Sequence, residues 1–199
     1  MTAVCIIPAR GGSRRIPRKN IRDFKGQPML VYAIHCAQMS GIFDHVFVST
    51  DDEEIAGVAR AHGADTHYRN PAMAEDNVGT QDVMNSVIED LLNAGLQFDV
   101  ACCLYPCVPL LEPRDLVSAR KIMVEVQAAY VFSVGVDPLH DAGQFYIGWT
   151  DAFLNEEPLI SPNTIMYPMP KERDIDVNTE DDWKEAERKF DALRGNYVH

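Results

Sequence analysis

Short apolar runs alternate with amphipathic stretches along this chain of 199 residues, and this alternation limits the fold more than any other feature. Strand-length runs separated by helical periodicity predict one α/β domain over residues 1–199, with a mostly parallel sheet and its own core. The predicted strands are residues 3–8, 45–50, 64–69, 99–105, 129–134, 143–148 and 174–177. The predicted helices are residues 28–40, 50–62, 80–95, 116–126, 151–155 and 179–193. Helix caps are expected at Thr50, Thr80 and Thr179.

The charge of the chain is unevenly distributed. The net charge is −12, which argues against general nucleic-acid binding because that mode requires a basic surface. Seven cations nevertheless fall in one short stretch with a single acid, Asp23: Arg10, Arg14, Arg15, Arg18, Lys19, Arg22 and Lys25. A basic segment in an acidic chain indicates a local anion site, although a solvated surface loop has the same composition.

This basic segment begins where the first predicted strand ends, which is the edge of an α/β sheet at which ligands bind. Gly11 and Gly12 allow the backbone to approach a ligand and to present N–H groups to an anion. Arg10, Arg14 and Lys19 could then neutralise a polyphosphate. The segment lacks the Gly-Lys-Ser/Thr ending of a Walker loop and the third glycine of the dinucleotide fingerprint, so neither kind of site is indicated.

Three later stretches carry further candidate chemistry. Asp174 and Asp176 lie two apart, so in a strand both carboxylates face one side and could hold a cation such as Mg²⁺ near phosphates. A solvated acidic turn before a helix is the alternative. Residues 140–146 and 105–110 have the composition of pocket walls at strand ends, and ordinary turns would have it too. Residues 49–52 are explained by helix capping.

Cellular context is indicated by what the sequence lacks. The apolar run at the N-terminus is too short for a signal peptide, and no segment approaches a membrane span. An odd number of cysteines, five, indicates reduced thiols and a cytoplasmic protein. Three of them occur in apolar runs and are expected to be small buried residues without zinc. We therefore expect neither a membrane nor a nucleic-acid partner.

Taken in order, these segments resemble the acylneuraminate cytidylyltransferases, which activate nine-carbon sugar acids as CMP-sugars. The opening loop is similar to the nucleotide-binding signature of that family. Four stretches are most similar to its pseudaminic acid branch: residues 15–20 (RIPRKN), 102–109, 140–146 and 174–183. The resemblance covers nearly the whole chain and implies a Rossmann-like three-layer nucleotidyltransferase fold.

The resemblance also implies a reaction, in which the anomeric hydroxyl of the sugar acid attacks the α-phosphate of CTP and pyrophosphate leaves. Nucleotide binding is implied for Ala9, Arg10, Gly11, Gly12, Ser13, Arg14, Lys19, Asn20, Arg69 and Thr80. Catalysis is implied for Arg10, Lys19, Asp174 and Asp176, with the two aspartates holding Mg²⁺. Sugar binding is implied for Tyr105, His140, Asp141, Gln144 and Tyr146. The partners implied are CTP, a nonulosonic acid and a second copy of the chain.

The chain departs from the family pattern at several positions. Arg14 stands where lysine is frequent, and Cys107 stands where a small hydroxyl residue is usual. Residues 140–143 replace the Arg-Pro-Asn-Gly of sialate-type members, which favours a different nonulosonic acid. The connection at residues 135–139 is much shorter than in the family, where a longer stretch joins two subunits. We expect that the sequence omits this stretch, and an intact mass of 22.3 kDa would exclude that explanation.

Three other functions stay open on the sequence alone. The same transfer could be made to sialic, legionaminic or 3-deoxy-octulosonic acid. A nucleotide-binding module could keep the loop without turnover, although such a module needs no metal-binding aspartates. A sugar-1-phosphate nucleotidyltransferase would share the fold and the loop but accept a phosphorylated sugar.

Overall fold

A computed structural model describes residues 1–74, 78–136 and 141–195 of the chain. The strands within these ranges are β1 (Ala3–Pro8), β2 (Asp23–Phe24), β3 (Gln27–Pro28), β4 (His45–Thr50), β5 (Asp65–Tyr68), β6 (Val100–Leu104), β7 (Tyr130–Val134), β8 (Asp141–Trp149) and β9 (Thr164–Pro168). The α-helices are α1 (Met29–Ser40), α2 (Glu53–Ala61), α3 (Thr80–Asn93), α4 (Pro113–Val126), α5 (Thr150–Leu154) and α6 (Glu180–Gly195). A short 3₁₀ turn follows β5 at Pro71–Ala74.

Seven strands form one sheet in the order β5-β4-β1-β6-β8-β7-β9. Neighbouring strands are parallel except at β8, which runs antiparallel to both β6 and β7. The prediction of an α/β fold with a mostly parallel sheet is confirmed. Because β8 is reversed, its first residues lie at the edge where β1 and β6 end.

Both faces of the sheet are buried, and the side chains of β1 alternate between them. Cys5 and Ile7 belong to a cluster that includes α1, α2 and α4, whereas Val4 and Ile6 face α3 and α5. Continuous apolar strands of this kind are expected where helices cover both faces of a parallel sheet. All five cysteines are free thiols, as the sequence predicted, and all five are buried, although burial was predicted for only three. No helix in the described ranges has both the length and the apolar composition of a membrane span.

A third apolar cluster joins the two ends of the chain. Phe24, on the β2–β3 hairpin, contacts Trp183 and Phe190 of α6 with ring centroids 5.4 and 5.5 Å apart. Ile16, in the middle of the basic segment, is fully buried in the same cluster. The segment is therefore anchored by its own apolar residue, which argues against a purely solvated loop. The packing also brings the residues that precede α6 next to the N-terminal loop.

The predicted cap of α2 is wrong. The N-cap is Asp52, whose carboxylate accepts the N–H groups of Glu54 and Ile55 at 3.0 and 3.1 Å. The Thr50 hydroxyl instead accepts the N–H of Asp52 at 3.2 Å. Aspartate is as strong a cap as threonine, so the side chain nearer the first helical turn takes the role.

The caps of α3 and α6 have opposite outcomes. Thr80 is the first residue of α3 rather than its cap, and Gly79 precedes the helix with its N–H bonded to Asp82. Thr179 accepts the N–H of Asp182 at 3.2 Å, as a capping residue does, so the prediction for α6 is confirmed.

The strand predictions fail in three places. Residues 174–177 are irregular and belong to no strand. Strand β9 was not predicted, and it pairs with β7 in parallel at one edge of the sheet. The β2–β3 hairpin was not predicted either, because each of its strands has only two residues. Strand β1, which positions the loop, and the other central strands of the sheet were all predicted.

Candidate active site

A cavity of about 770 Å³ opens at the edge of the sheet where β1 and β6 end. The first residues of the reversed strand β8 reach the same edge, as expected for the ligand site of an open α/β sheet. Eight predicted site residues line it: Arg10, Ser13, Arg14, Lys19, Asn20, Tyr105, Asp141 and Asp176. Six lining residues were not among the predicted site residues: Pro8, Arg15, Pro106, Cys107, Gly143 and Asn178.

The other predicted site residues lie around this cavity rather than in its lining. They are Ala9, Gly11, Gly12, Arg69, Thr80, Gln144, Tyr146 and Asp174. Arg69 is buried behind the loop, where its guanidinium donates to the hydroxyl and the carbonyl of Ser49 at 3.2 and 3.0 Å. Desolvation lowers the pKa of Arg69. His140 lies outside the described residues.

The seven cations of the basic segment divide into two groups. Four of them line the cavity: Arg10, Arg14, Arg15 and Lys19. The other three form ion pairs with acids elsewhere in the chain: Arg18 with Asp52 and Glu54, Arg22 with Glu180, and Lys25 with Asp191. Only the first group is placed to bind an anion in the cavity, because the second group is directed to the surfaces of α2 and α6.

The start of the loop is held against the N-terminus of α2. The N–H of Gly11 donates to a carboxylate oxygen of Asp51 at 2.9 Å. The sequence predicted that this N–H would be presented to an anion, but it is engaged within the protein instead. Arg18 adopts a positive φ of 54° and pairs with both oxygens of Asp52. The capping carboxylate of α2 therefore also fixes the loop, a role that the interpretation of residues 49–52 as a cap alone missed.

Replacing Gly11 by alanine is expected to lower the free energy of unfolding by about 1–3 kcal/mol. A Cβ at this position would lie 2.6 Å from an oxygen and 3.0 Å from the Cβ of Asp52, which cannot withdraw because it is bonded to α2 and to Arg18. Gly12→Ala is the matched control, since no atom lies within 4 Å of a Cβ there. Urea unfolding of both variants measures the difference, and equal losses would contradict the close approach at Gly11.

Asp52→Asn tests the ion pair with Arg18 while keeping a good cap. The Arg18 guanidinium lowers the pKa of Asp52, so the folded state binds fewer protons than the unfolded state and the pair stabilises above the usual carboxyl pKa. We expect the free energy of unfolding of the wild type to exceed that of the variant by about 1 kcal/mol at neutral pH. The difference is small because the pair is partly exposed. Urea unfolding should show this advantage disappearing as the pH falls through the lowered pKa of Asp52. A difference that is independent of pH would exclude the pair as its source.

Asp176 and Asn178 form the wall of the cavity that faces the loop. The side-chain amide of Asn178 donates to Asp176 and its carbonyl oxygen accepts from Arg15 at 2.8 Å. Lys19 donates to the carbonyl of Val177 at 2.7 Å. These contacts connect the cationic loop to the acidic wall formed by the segment before α6. Burial raises the pKa of Asp176, and the bond from Asn178 and the charge of Lys19 oppose this.

A second carboxylate, Asp141, lies close enough to Asp176 to raise its pKa further. Asp141 accepts the N–H of Gly143 at 2.9 Å and the hydroxyl of Tyr146. Gly143 has a φ of 58°, and a Cβ there would come within 3.1 Å of the Asp176 carboxyl carbon. The glycine therefore keeps a space open beside Asp176.

The arrangement fits a hard divalent cation, which prefers carboxylate oxygens and is often held by one or two of them together with substrate phosphates. Asp176 provides such oxygens beside the space left by Gly143, with Asp141 nearby. The carboxylate of Asp174 instead accepts the N–H of Val136 at 3.0 Å and packs against Gly135. The described residues contain no cluster of three or more His, Cys, Asp or Glu side chains that would form a complete metal cage.

The floor of the cavity carries neutral polar groups. The hydroxyls of Tyr105 and Thr80 lie 2.7 Å apart, so Thr80 supports a lining residue from behind. The Cys107 thiol donates to the side-chain oxygen of Asn20 at 3.4 Å, and burial raises its pKa to about 11. Cys107 thus supplies a weak protonated donor at the position where the family usually has a hydroxyl.

The lining residues that were not predicted differ in how clearly the sequence indicated their role. Arg15 belongs to the basic segment, and its sequence context does not distinguish it from Arg18. Asn178 follows Asp176 by two residues, a spacing that could have signalled a shared role. Gly143 lies in a stretch that was predicted to form a pocket wall, but its function depends on contact with Asp176, which no local pattern reports.

Comparison with known proteins matches this chain to one family throughout. A family model described as cytidylyltransferase matches residues 4–146. The pseudaminic acid cytidylyltransferase of Campylobacter jejuni serotype O:2 is 34% identical over 213 aligned positions, which cover 90% of this chain and 92% of that protein. Since 90% of 199 residues is about 179, about 34 aligned positions have no counterpart in this chain. N-acylneuraminate cytidylyltransferase A of Danio rerio is 29% identical over 96% of this chain and 51% of its own length.

Solved structures agree on the fold. CMP:2-keto-3-deoxy-manno-octonic acid synthetase complexed with CTP superposes with a TM-score of 0.74 at 17% identity, and the match covers 100% of both chains. The manganese complex of Rv0371C from Mycobacterium tuberculosis has a TM-score of 0.66 at 14% identity, covering 94% of this chain and 99% of its own. These similarities confirm the Rossmann-like nucleotidyltransferase fold that the sequence predicted.

Proposed function

The chain belongs to the cytidylyltransferase family, and on this basis we propose that it transfers CMP from CTP to the anomeric hydroxyl of pseudaminic acid, a nine-carbon sugar acid. The observation that carries the proposal is the division of the cavity into two walls of opposite charge. Arg10, Arg14, Arg15 and Lys19 line the same cavity as Asp176 and Asp141. Such a space accommodates a triphosphate against the cationic side chains and a divalent cation against the carboxylates.

In this reaction the anomeric oxygen forms a bond to the α-phosphorus of CTP while the bond from that phosphorus to the bridging oxygen breaks, and pyrophosphate leaves. Phosphoryl-type transfer depends on positioning and charge neutralisation more than on a covalent nucleophile. The cationic wall is suited to holding the triphosphate and to stabilising the charge that develops on pyrophosphate. The proton of the sugar hydroxyl goes to a carboxylate of the opposite wall, for which Asp141 and Asp176 are the candidates.

We further propose Mg²⁺ as the metal, held by Asp176 with Asp141 beside it and with Asp174 as the additional ligand that the family resemblance implies. When bound, Mg²⁺ supplies neutralisation of charge on the phosphate oxygens. The chain contributes the open space beside Gly143 and the bond from Asn178 that orients Asp176. The manganese bound by a structural neighbour supports a divalent cation at this fold.

Four further features belong to the same proposal. Residues 1–199 act as one domain, two copies associate, and the protein works in the cytoplasm. The predicted sugar contacts at Tyr105 and Asp141 select the acid, with Gln144 and Tyr146 as supports behind them. Light scattering after gel filtration tests the association: a particle of twice the measured mass of the single chain is expected, and a single chain mass would exclude the dimer.

The activity is tested by pyrophosphate release with CTP and Mg²⁺. Pseudaminic, N-acetylneuraminic, legionaminic and 3-deoxy-octulosonic acids are offered in parallel, with UTP and a sugar 1-phosphate as controls. Turnover with CTP and pseudaminic acid is expected. Turnover only with another acid would keep the family and overturn the substrate. Release only with the sugar 1-phosphate, or none with any acceptor, would contradict the proposed transfer.

A further inference from the structure

The segment at residues 174–178 carries Asp176 into the cavity without any regular secondary structure. In a strand or a helix, a regular series of backbone hydrogen bonds fixes the positions of the side chains. This segment has no such series. The position of the Asp176 carboxylate must therefore be fixed by contacts at the ends of the segment. One of these contacts is a buried ion pair formed by Arg173, the residue immediately before the segment.

Arg173 and Asp115 form a buried ion pair. Their exposed fractions are 5% and 2%. Both terminal nitrogens of the guanidinium donate to the two carboxylate oxygens, one of them at 3.0 Å. Asp115 lies in the first turn of α4 and also accepts the N–H of Glu112 and the hydroxyl of Tyr167, at 3.0 and 3.2 Å. A two-point pair of this kind fixes the orientation of the arginine as well as its distance.

Three hydrogen bonds to backbone carbonyls also hold the chain between Arg173 and Val177. Gln144, which is 1% exposed on β8, donates from its amide to the carbonyl of Arg173 at 3.0 Å. Lys189 of α6 donates to the carbonyl of Asp174 at 2.6 Å. Lys19, as described above, donates to the carbonyl of Val177. The first of these bonds explains why the predicted sugar-binding role of Gln144 does not coincide with a place in the cavity lining.

We propose that the buried ion pair of Arg173 and Asp115 is a positioning device, which fixes the segment at residues 174–178 and thereby sets the location of the Asp176 carboxylate in the cavity. This inference rests on the proposed function, since it assumes that Asp176 binds a divalent cation. A buried ion pair is weak evidence for stability, because apolar residues of similar volume often stabilise a fold equally well. The ion pair fixes the orientation of the segment, which a methionine in place of Arg173 would not do.

The experiment separates orientation from stability with a double variant, Asp115→Asn with Arg173→Met. No unpaired charge is left buried. The carboxamide that replaces the Asp115 carboxylate can still accept from the N–H of Glu112 through its oxygen, and its NH2 group can donate to the hydroxyl oxygen of Tyr167. The melting temperature should therefore stay within about 4 °C of wild type. Arg173→Lys keeps the charge but loses the two-point contact. The matched control is Glu185→Gln with Arg188→Met, which removes an exposed ion pair on α6.

Three measurements are made on each protein. Hydrogen exchange reports protection of the Asp174 and Asn178 amides, which donate to the Pro170 carbonyl and to the Asp182 carboxylate. Electron paramagnetic resonance reports Mn²⁺ binding with a non-hydrolysable α,β-methylene analogue of CTP. Steady-state kinetics separate kcat from the KM for CTP. In the double variant we expect lost protection, Mn²⁺ affinity lowered about tenfold and kcat lowered about a hundredfold, since misplacement by about 1 Å has that effect. The KM for CTP should change less, because the cationic wall is intact.

The alternative outcomes are distinct. Unchanged protection and Mn²⁺ affinity in the double variant would overturn the positioning role. If the double variant fails to fold, Arg173→Lys decides: an intermediate loss of Mn²⁺ affinity at an unchanged melting temperature supports the role, and unchanged affinity overturns it. Exchange and Mn²⁺ binding need no sugar acid, so a wild type that binds Mn²⁺ with the analogue but turns over no acid refutes the proposed transfer alone. A wild type that binds no Mn²⁺ refutes the positioning inference.

Discussion

Asp176→Asn is expected to lower kcat by about a thousandfold, because it removes the carboxylate that faces the cationic wall of the cavity. Asparagine keeps the size of the side chain and can still bond to Asn178, so the loss reports the charge rather than the fold. Pyrophosphate release with CTP, Mg²⁺ and pseudaminic acid is the measurement.

Asp181→Asn is the matched control for this variant, since Asp181 lies on α6 with its carboxylate exposed and paired with Lys184. Its kcat should stay within about twofold of wild type, because an exposed pair contributes little. Comparable losses in the two variants would mean that general acidity of this region, and not the Asp176 site, supports turnover. A wild-type rate in Asp176→Asn would remove Asp176 from the mechanism.

Lys19→Met is expected to lower kcat/KM by a factor of about 10²–10³, the range found when one preorganised donor to a developing charge is removed. Lys19 lines the cavity and its ammonium also donates to the carbonyl of Val177, so one substitution weakens both walls. The effect is measured from initial rates at varied CTP concentration.

Lys25→Met is the control from the same basic segment. Lys25 pairs with Asp191 on α6 and does not line the cavity. Its kcat/KM should stay close to wild type, particularly at high salt, where surface charges are screened. Equal losses at Lys19 and Lys25 would indicate a long-range field of the basic segment and would contradict the division of its cations into two groups.

The sequence could predict the features that are encoded locally. Strand β1 and the loop after it were visible because a fully apolar run is followed directly by two glycines and several cations. The final helix was visible because Trp183, Ala186 and Phe190 recur at helical spacing, and they are buried as expected. The edge strand β9 was missed because its residues are only partly buried and show no apolar period.

The arrangement of the site depends on contacts between distant residues, which local patterns do not report. Asp174 and Asp176 were expected to face the same way from a strand. The segment is irregular instead, and the two carboxylates have different partners: Asp174 accepts from Val136 and Asp176 accepts from Asn178. In the same way, Arg15 and Arg18 have similar sequence surroundings, and the positions of Asp52 and Glu54 at the start of α2 draw Arg18 away from the cavity.

The departures from the family pattern acquire a physical meaning in the structure. Asp141 lies where sialate-type members are expected to have a different entry to the sugar pocket, whereas Gly143 matches the last residue of their Arg-Pro-Asn-Gly motif. Here Asp141 brings a carboxylate into the cavity and Gly143 leaves room beside Asp176. A carboxylate accepts hydrogen bonds from hydroxyl and amide groups, and the sugar contact proposed for Asp141 depends on this property.

The central claim is that this chain joins CMP to a nine-carbon sugar acid, and mass spectrometry of the reaction products tests it most directly. The protein is incubated with CTP, Mg²⁺ and pseudaminic acid, and the mixture is analysed for a phosphodiester of the sugar and CMP. We predict a product with the combined mass of CMP and pseudaminic acid less one water, formed in equal amount to pyrophosphate. Pyrophosphate accompanied by free CMP, with no sugar phosphodiester, would show hydrolysis instead of transfer and would contradict the claim.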